Sequence, residues 1–146
     1  MGNNKKYNNR YMGNNNRIND MAKIALKAVR RKLSTTRGGT TRQIKIHGSD
    51  YLGAPKVYKV YLTTGKYPDG TLGEIFIRIG KAGSTTSGTY DLISTLFSIA
   101  LQHGVPLDLL LSKMRGVSFE PSGPTGDSKL GIVKSIPDAV AKCLGV

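Results

Sequence analysis

Apolar and polar positions change rhythm along the chain. From residue 43 the rhythm is two. Ile44 and Ile46 share one face of Gln43–His47, Val57–Leu62 repeats the alternation, and Gly73–Ile79 puts Ile75, Ile77 and Ile79 on one side with Phe76 between them. This half-buried alternation predicts three strands. Their links are a longer loop over His47–Pro55 and a tight turn at Tyr67-Pro68-Asp69-Gly70, which suit an antiparallel meander. Further on the rhythm becomes helical. Leu92, Ile93, Leu96, Phe97, Ala100 and Leu101 form a wide apolar stripe that Gly104 and Pro106 end. Leu107–Arg115 predicts a second helix, opened by Pro106 and closed by Gly116 after a basic last turn. A short strand at Val117–Phe119, a Gly/Pro loop over Glu120–Lys129 and a final helix from near Pro137 to Leu144 complete the chain. The predicted fold is α+β, an antiparallel three- or four-stranded meander packed on two or three helices, without internal repeats.

The first 42 residues read differently. Residues 1–20 contain eight Asn, four basic residues and Ile18 as their aliphatic side chain, too little apolar surface to offset ordering entropy, so a disordered basic arm is expected. In residues 21–33, Met21, Ile24, Ala25 and Ala28 recur at helical spacing beside a basic stripe of Lys23, Lys27, Arg30 and Arg31. Asp20 serves as the expected N-cap and Ser34–Gly39 as the stop. The expected organisation is an Asn-rich arm over 1–20, a basic amphipathic helix and linker over 21–42, and an α+β domain over 43–146.

Charge sharpens this division. The 146 residues carry a net +13, of which residues 1–42 hold +10 and the remainder +3. A basic arm on a nearly balanced body points to a polyanion, most often nucleic acid, because each neutralised phosphate releases counterions. Lys5, Lys6, Arg10, Arg17, Lys23, Lys27, Arg30 and Arg31 are the candidate nucleic-acid contacts; a solubilising tail is the plainer alternative. No apolar run is long enough for a membrane helix, and the start has neither the apolar stretch of a secretory signal nor the hydroxyl residue of a myristoylation site, since Lys6 stands there. A single cysteine, Cys143, excludes an internal disulfide framework and a multi-cysteine metal site, and a cytoplasmic location is expected.

The segment most suited to binding is Gly80–Thr89, between a strand and a helix. Glycines let backbone N–H groups converge, and Ser84, Thr85, Thr86 and Ser87 stand at the positive end of a helix dipole. Arg78 and Lys81 would add charge. The expected ligand site is therefore Arg78, Gly80, Lys81, Gly83, Ser84, Thr85, Thr86 and Ser87. The loop lacks both the phosphate-loop GK[ST] and the GxGxxG pattern, and a simple strand-to-helix turn would account for its glycines. In Phe119–Asp127, two Pro and two Gly fix an unusual path, with Glu120 and Asp127 as weaker candidates for a cation or ribose hydroxyls. His47 and His103 stand without a neighbouring motif, and no GxSxG elbow is present, so no catalytic residue is assigned, and no metal or cofactor.

Several segments carry a more specific likeness. The loop Gly80–Gly88, Gln102–Leu107 (QHGVPL), Phe119–Gly123 (FEPSG) and Lys134–Leu144 (KSIPDAVAKCL) make residues 43–145 resemble the TSCPD-type domain at the C-terminus of adenosylcobalamin-dependent ribonucleotide reductases and its free-standing relatives. Ser135, Pro137 and Asp138 match the Thr-Ser-Cys-Pro-Asp signature, whereas Lys134 replaces its Thr and Ile136 its Cys. If the family cysteine serves a metal or thiol function, the resemblance implies that this function is absent here. The resemblance does not imply the reductase reaction. That chemistry needs a radical source, a thiyl-forming cysteine and a reducing cysteine pair in a large barrel.

The leading expectation is a non-catalytic accessory module that binds a nucleotide or other phosphate ligand through Gly80–Thr89, either as a partner of a ribonucleotide reductase or simply to sequester a nucleotide. The alternatives are a nucleic-acid-binding protein or a structural assembly protein, each acting through the basic arm. A homo-oligomer is expected.

Overall fold

The structure is a computed structural model, which describes residues 17–23 and 29–145. Three strands, β1 (Gly39–Ser49), β2 (Pro55–Lys66) and β3 (Leu72–Ile79), form an antiparallel sheet in the order β1-β2-β3. Helices α1 (Thr85–Gln102) and α2 (Leu107–Met114) follow, then the two-residue strands β4 (Gly123–Pro124) and β5 (Ile132–Val133), which pair with each other, and helix α3 (Ile136–Leu144). The α+β meander on helices is therefore as expected, with three strands in the main sheet.

Alternation decides which face is buried. Ile44, Ile46, Val60, Leu62, Ile75, Ile77 and Ile79 point inward and form one cluster with Leu111, Val133, Ile136 and Val140. Burying each such side chain contributes about 1.5–3 kcal/mol relative to leaving it in water. The hairpin turns behave as read. Gly70 donates to the Tyr67 carbonyl at 2.9 Å across the β2–β3 turn, and the β1–β2 loop shrinks to residues 50–54, closed by Asp50 N–H to the Ala54 carbonyl at 2.8 Å.

Four local expectations are corrected. Strand β1 starts at Gly39, not at residue 43, because Gly39–Arg42 pair with Leu62–Gly65 and a Thr41–Thr63 hydroxyl contact at 2.8 Å extends the ladder. Gly39 is required there. The Thr64 carbonyl occupies the place a Cβ would take. Val117–Phe119 forms no strand; its polar groups bond Ser135 and Lys134 instead, through Ser135 Oγ to the Val117 carbonyl (2.6 Å) and Phe119 N–H to the Lys134 carbonyl (3.1 Å). On α1, Leu92 and Leu96 are 59% and 58% exposed, whereas Tyr90, Ser94, Phe97, Ser98 and Gln102 face the protein. The cause is that α1 packs along the free edge of β3, where polar partners are needed. Ser94 Oγ accepts from Ile77 N–H at 2.9 Å, and Gln102 Nε2 donates to the Gly73 carbonyl at 3.1 Å.

The fourth correction concerns the leader. Residues 17–23 are helical, so Asp20 lies inside a helix and is not its N-cap. The expectation for residues 1–16 lies outside the described residues, as do Lys5, Lys6, Arg10 and Lys27. Residues 30–34 have no helical structure and dock on the body. Arg31 N–H donates to the Gln102 carbonyl at 2.8 Å, and its guanidinium lies 3.9 Å from the Tyr67 ring centre and 3.1 Å from Asp69. Tyr67 also donates its hydroxyl to the Arg31 carbonyl. Arg37 then pairs with the nearly buried Glu74, close to the same turn.

Candidate functional site

The end of β3 and the start of α1 frame a cleft. β2 runs past β3: the last β2–β3 pair is Val60 with Ile79, so residues 55–59 lie beyond the end of β3. The chain turns through Gly80 and Gly83, at φ 66° and 80°, into α1. These are left-handed conformations that β-carbons disfavour, so both glycines serve the turn itself. Ser84 is the N-cap, its Oγ accepting from Ser87 N–H at 3.2 Å. The N–H groups of Thr85 and Thr86, in the first turn, have no acceptor within the helix.

The cleft has a volume of about 710 Å³. One wall is the α1 start, with Gly80, Ser84 and Thr86; another is β2, with Lys56, Tyr58, Lys59 and Tyr61; Tyr51 and the Glu120-Pro121 cis peptide complete the rim. Lys56 lies over the Tyr58 ring at 4.9 Å from its centre, and Tyr58 donates its hydroxyl to the Ser49 carbonyl at 2.7 Å. The two acids of the rim are occupied by their own turns. Asp50 accepts from Leu52 and Ala54 N–H, each at 2.9 Å, and Glu120 from Ser122 N–H and hydroxyl, each at 3.0 Å. The result is an aromatic hollow opposite a helix N-terminus, in which Lys56 and Lys59 are matched in number by Asp50 and Glu120.

Of the eight residues expected to bind ligand, the cleft brings together Gly80, Ser84 and Thr86. The others lie elsewhere. Arg78 reaches toward Asp91 at 3.7 Å, Ser87 is buried in the first turn, the Thr85 carbonyl accepts from the Thr89 hydroxyl at 2.8 Å, and Gly83 and Lys81 are exposed outside the lining. Sequence reasoning missed Tyr58, Lys59 and Tyr61, which belong to a strand read only for its alternation, and Tyr51 and Lys56, which precede the strand as it was read. Of the basic residues expected to meet nucleic acid, Arg17 and Lys23 are exposed on the helical residues 17–23. Arg30 donates to Gln102 Oε1 at 2.7 Å, and Arg31 is held by Tyr67 and Asp69.

Glu120 and Asp127 do not form a joint site: Asp127 pairs with Arg42 at 2.5 Å, which also contacts Cys143 Sγ at 3.4 Å. Among the described residues no cluster of His, Cys, Asp and Glu is arranged for a metal ion, and no helix is long and apolar enough to cross a membrane.

The Ser135-Ile136-Pro137-Asp138 segment is the start of α3. Ser135 Oγ caps the helix by accepting from Asp138 N–H at 3.2 Å, with Pro137 in the first turn. Asp138 is buried and accepts from Gly116 N–H (2.7 Å) and Lys134 N–H (3.0 Å), with Lys142 Nζ at 3.3 Å. Burial by itself would raise the Asp138 pKa; these donors outweigh it and hold the carboxyl below its ordinary range. Ile136, which stands where the signature has cysteine, is wholly buried in the core.

The family model described as the TSCPD domain matches residues 24–146. Three proteins named vitamin B12-dependent ribonucleotide reductase are similar to the chain. That of Rhodopirellula baltica is 38% identical over 130 residues, which is 89% of this chain and 12% of the relative. The Streptomyces clavuligerus protein is 35% identical over 123 residues, 84% of this chain and 12% of the relative. The Bradyrhizobium diazoefficiens protein is 35% identical over 125 residues, 85% of this chain and 9% of the relative. The chain thus spans about an eighth or less of the length of these relatives. No solved structure matches it.

Proposed function

The chain belongs to the TSCPD domain family, and from that premise we propose that it is a non-catalytic accessory module of ribonucleotide-reductase type that binds a nucleotide or similar phosphate compound in the cleft above α1. The observation that carries this reading is the juxtaposition of Lys56 and Lys59 with Gly80, Ser84 and Thr86 around one hollow of about 710 Å³. A phosphate in it would take the free N–H groups of the first helical turn, a hydroxyl and an ammonium, and a base would lie against a tyrosine ring. The volume suits a ligand of nucleotide size. The reading also includes a reductase as working partner, supported by relatives that carry the same segment as a small share of a longer chain.

The relatives' named chemistry is not placed on these residues. Radical nucleotide reduction through a thiyl group and a dithiol needs several cysteines. This sequence has one, Cys143, half-buried beside Arg42.

Calorimetric titration of the full chain with pyrophosphate, ATP and dATP tests the proposal. Binding of at least one is expected, weakened about ten-fold by Lys56→Gln, in line with the loss of a charge-assisted hydrogen bond. No heat with any of the three at millimolar concentration, or an affinity indifferent to Lys56→Gln, overturns it.

A further inference from the structure

Both edges of the main sheet are covered while one of its faces is open. α1 runs along the edge of β3, and residues 122–127 run beside β1, with Arg42 tied to Asp127 and Gly48 close against the Ser122 carbonyl. The inner face holds the core. The outer face presents Lys45 and His47 from β1, Lys59 and Tyr61 from β2, and Phe76 from β3, all exposed.

Two features of this face go beyond the polar residues of an ordinary solvated sheet. First, Lys45 and Lys59 stand directly opposite each other across β1 and β2. Like charges at that spacing oppose folding, and among the described residues neither lysine has an acid in ion-pairing distance. An anion lying between them would turn this repulsion into attraction. Second, Phe76 and Tyr61 are each 40% exposed and are diagonal neighbours: Phe76 faces Thr63, two residues along β2 from Tyr61. Diagonal positions lie about 7–8 Å apart, within the span of successive unstacked nucleotides. Gln43 Nε2 donates to the Tyr61 hydroxyl at 2.7 Å and fixes that ring in place. The acid of this face, Glu74, is neutralised by Arg37.

We propose that the outer face of the β1-β2-β3 sheet docks a single-stranded polynucleotide, with bases stacked on Phe76 and Tyr61 and the backbone drawn across Lys45 and Lys59. The pairing of aromatic platforms with backbone-tracking cations is what such strands require, and it needs no base sequence. The chain's net charge of +13 favours the encounter. The inference does not rest on nucleotide binding in the cleft. Phe76 and Lys45 lie outside the cleft lining, whereas Lys59 and Tyr61 border both, so the first two residues carry the test.

The experiment is fluorescence anisotropy of the full chain with labelled oligothymidylate and oligouridylate of about 12 nucleotides, a length within one site of this kind. Binding of either strand is expected, weakened about ten-fold by Phe76→Ala and by Phe76→Leu, and restored by Phe76→Tyr, because the ring and not its apolar area is used. Lys45→Gln should make the slope of log affinity against log salt shallower by about 0.7. Thermal melts of the same variants confirm that they fold, and Phe76→Tyr keeps the test open if the smaller side chains do not. A strand affinity unchanged in Phe76→Leu overturns the proposal, as does binding of duplex DNA as tight as that of the single strands. Absence of strand binding also overturns it and leaves this face to a protein partner. Pyrophosphate titration of Phe76→Leu should match the wild type, which separates this outcome from failure of the cleft reading.

Discussion

The Ser98 hydroxyl serves both backbone groups of Ile75, accepting from its N–H at 3.0 Å and donating to its carbonyl at 3.2 Å. Ser94 repeats the first half of this contact on Ile77, and Gln102 reaches the Gly73 carbonyl. The spacing explains the series. Four helical residues rise about 6 Å, close to the advance of two residues in a strand, so positions 94, 98 and 102 of α1 meet positions 77, 75 and 73 of β3. A helix here does what another strand would do, and the sheet edge is closed to unwanted pairing.

Ser98→Ala should therefore destabilise the protein by about 1–3 kcal/mol, the cost of stranding buried backbone groups, although it removes only one oxygen. Chemical denaturation would measure it. An unchanged denaturation midpoint would show that water or a backbone shift replaces the hydroxyl.

The same edge shows how far the sequence was legible. The period of α1 was readable, but its buried side was not, because apolar count favoured Leu92 and Leu96 while the neighbour is a row of N–H and C=O groups that Ser94, Ser98 and Gln102 satisfy. The alternation of Ile44, Ile46, Ile75 and Ile77 translated directly into a buried face, since a one-residue slip would expose them all. Gly38-Gly39 read as a stop, yet Gly39 is a strand residue made necessary by the Thr64 carbonyl. At the candidate site, the glycine–hydroxyl turn was visible as a local motif. Lys56 and Lys59 were not, because their meeting with Ser84 depends on β2 outrunning β3, and Lys45 facing Lys59 depends on strand register.

The leader should divide in two under truncation. Residues 30–37 hold Arg30 on Gln102, Arg31 on Tyr67 and Asp69, and Arg37 on Glu74. Deleting residues 1–28 spares all of these and should leave Tm within roughly a few degrees. Deleting residues 1–38 also exposes the Tyr67 face and strands Glu74, and should cost about 2–4 kcal/mol. Equal melting of the two truncations would mean that the docked segment contributes nothing to stability.

Acid should destabilise the fold through Asp138, whose charged form the folded protein favours. Its folded-state pKa lies below the reference 3.8, so the unfolded chain takes up the proton first. The stabilisation is fully present above about pH 4 and is lost as pH falls through the lower folded value. In Asp138→Asn that part of the acid slope should vanish, at an overall cost of about 1–3 kcal/mol from the imperfect match to the Gly116 and Lys134 N–H groups. Some slope will remain, because the exposed Asp69 is also pushed down, to about 2, by bonds from Thr71 and then Arg31. Melts from neutral to strongly acidic pH, compared between wild type and Asp138→Asn, decide the matter. Parallel curves would remove Asp138 from the account.

Turn and ligand contact can be separated at the cleft by two substitutions of opposite character. Gly83 holds φ at 80° with open space around its α-carbon, so Gly83→Val meets no neighbour but forces a branched side chain into the left-handed region. That strain costs about 1–3 kcal/mol and should appear in the melting temperature, while pyrophosphate affinity measured well below the melt changes little. Lys56→Gln reverses the pattern: an exposed lysine on β2, it should leave the melt unchanged and weaken pyrophosphate about ten-fold. Had the glycines been selected to bring the backbone against a ligand, Gly83→Val would instead abolish binding in a protein that still melts normally. Calorimetry and thermal melts on both variants distinguish a turn that supports the site from one that forms it.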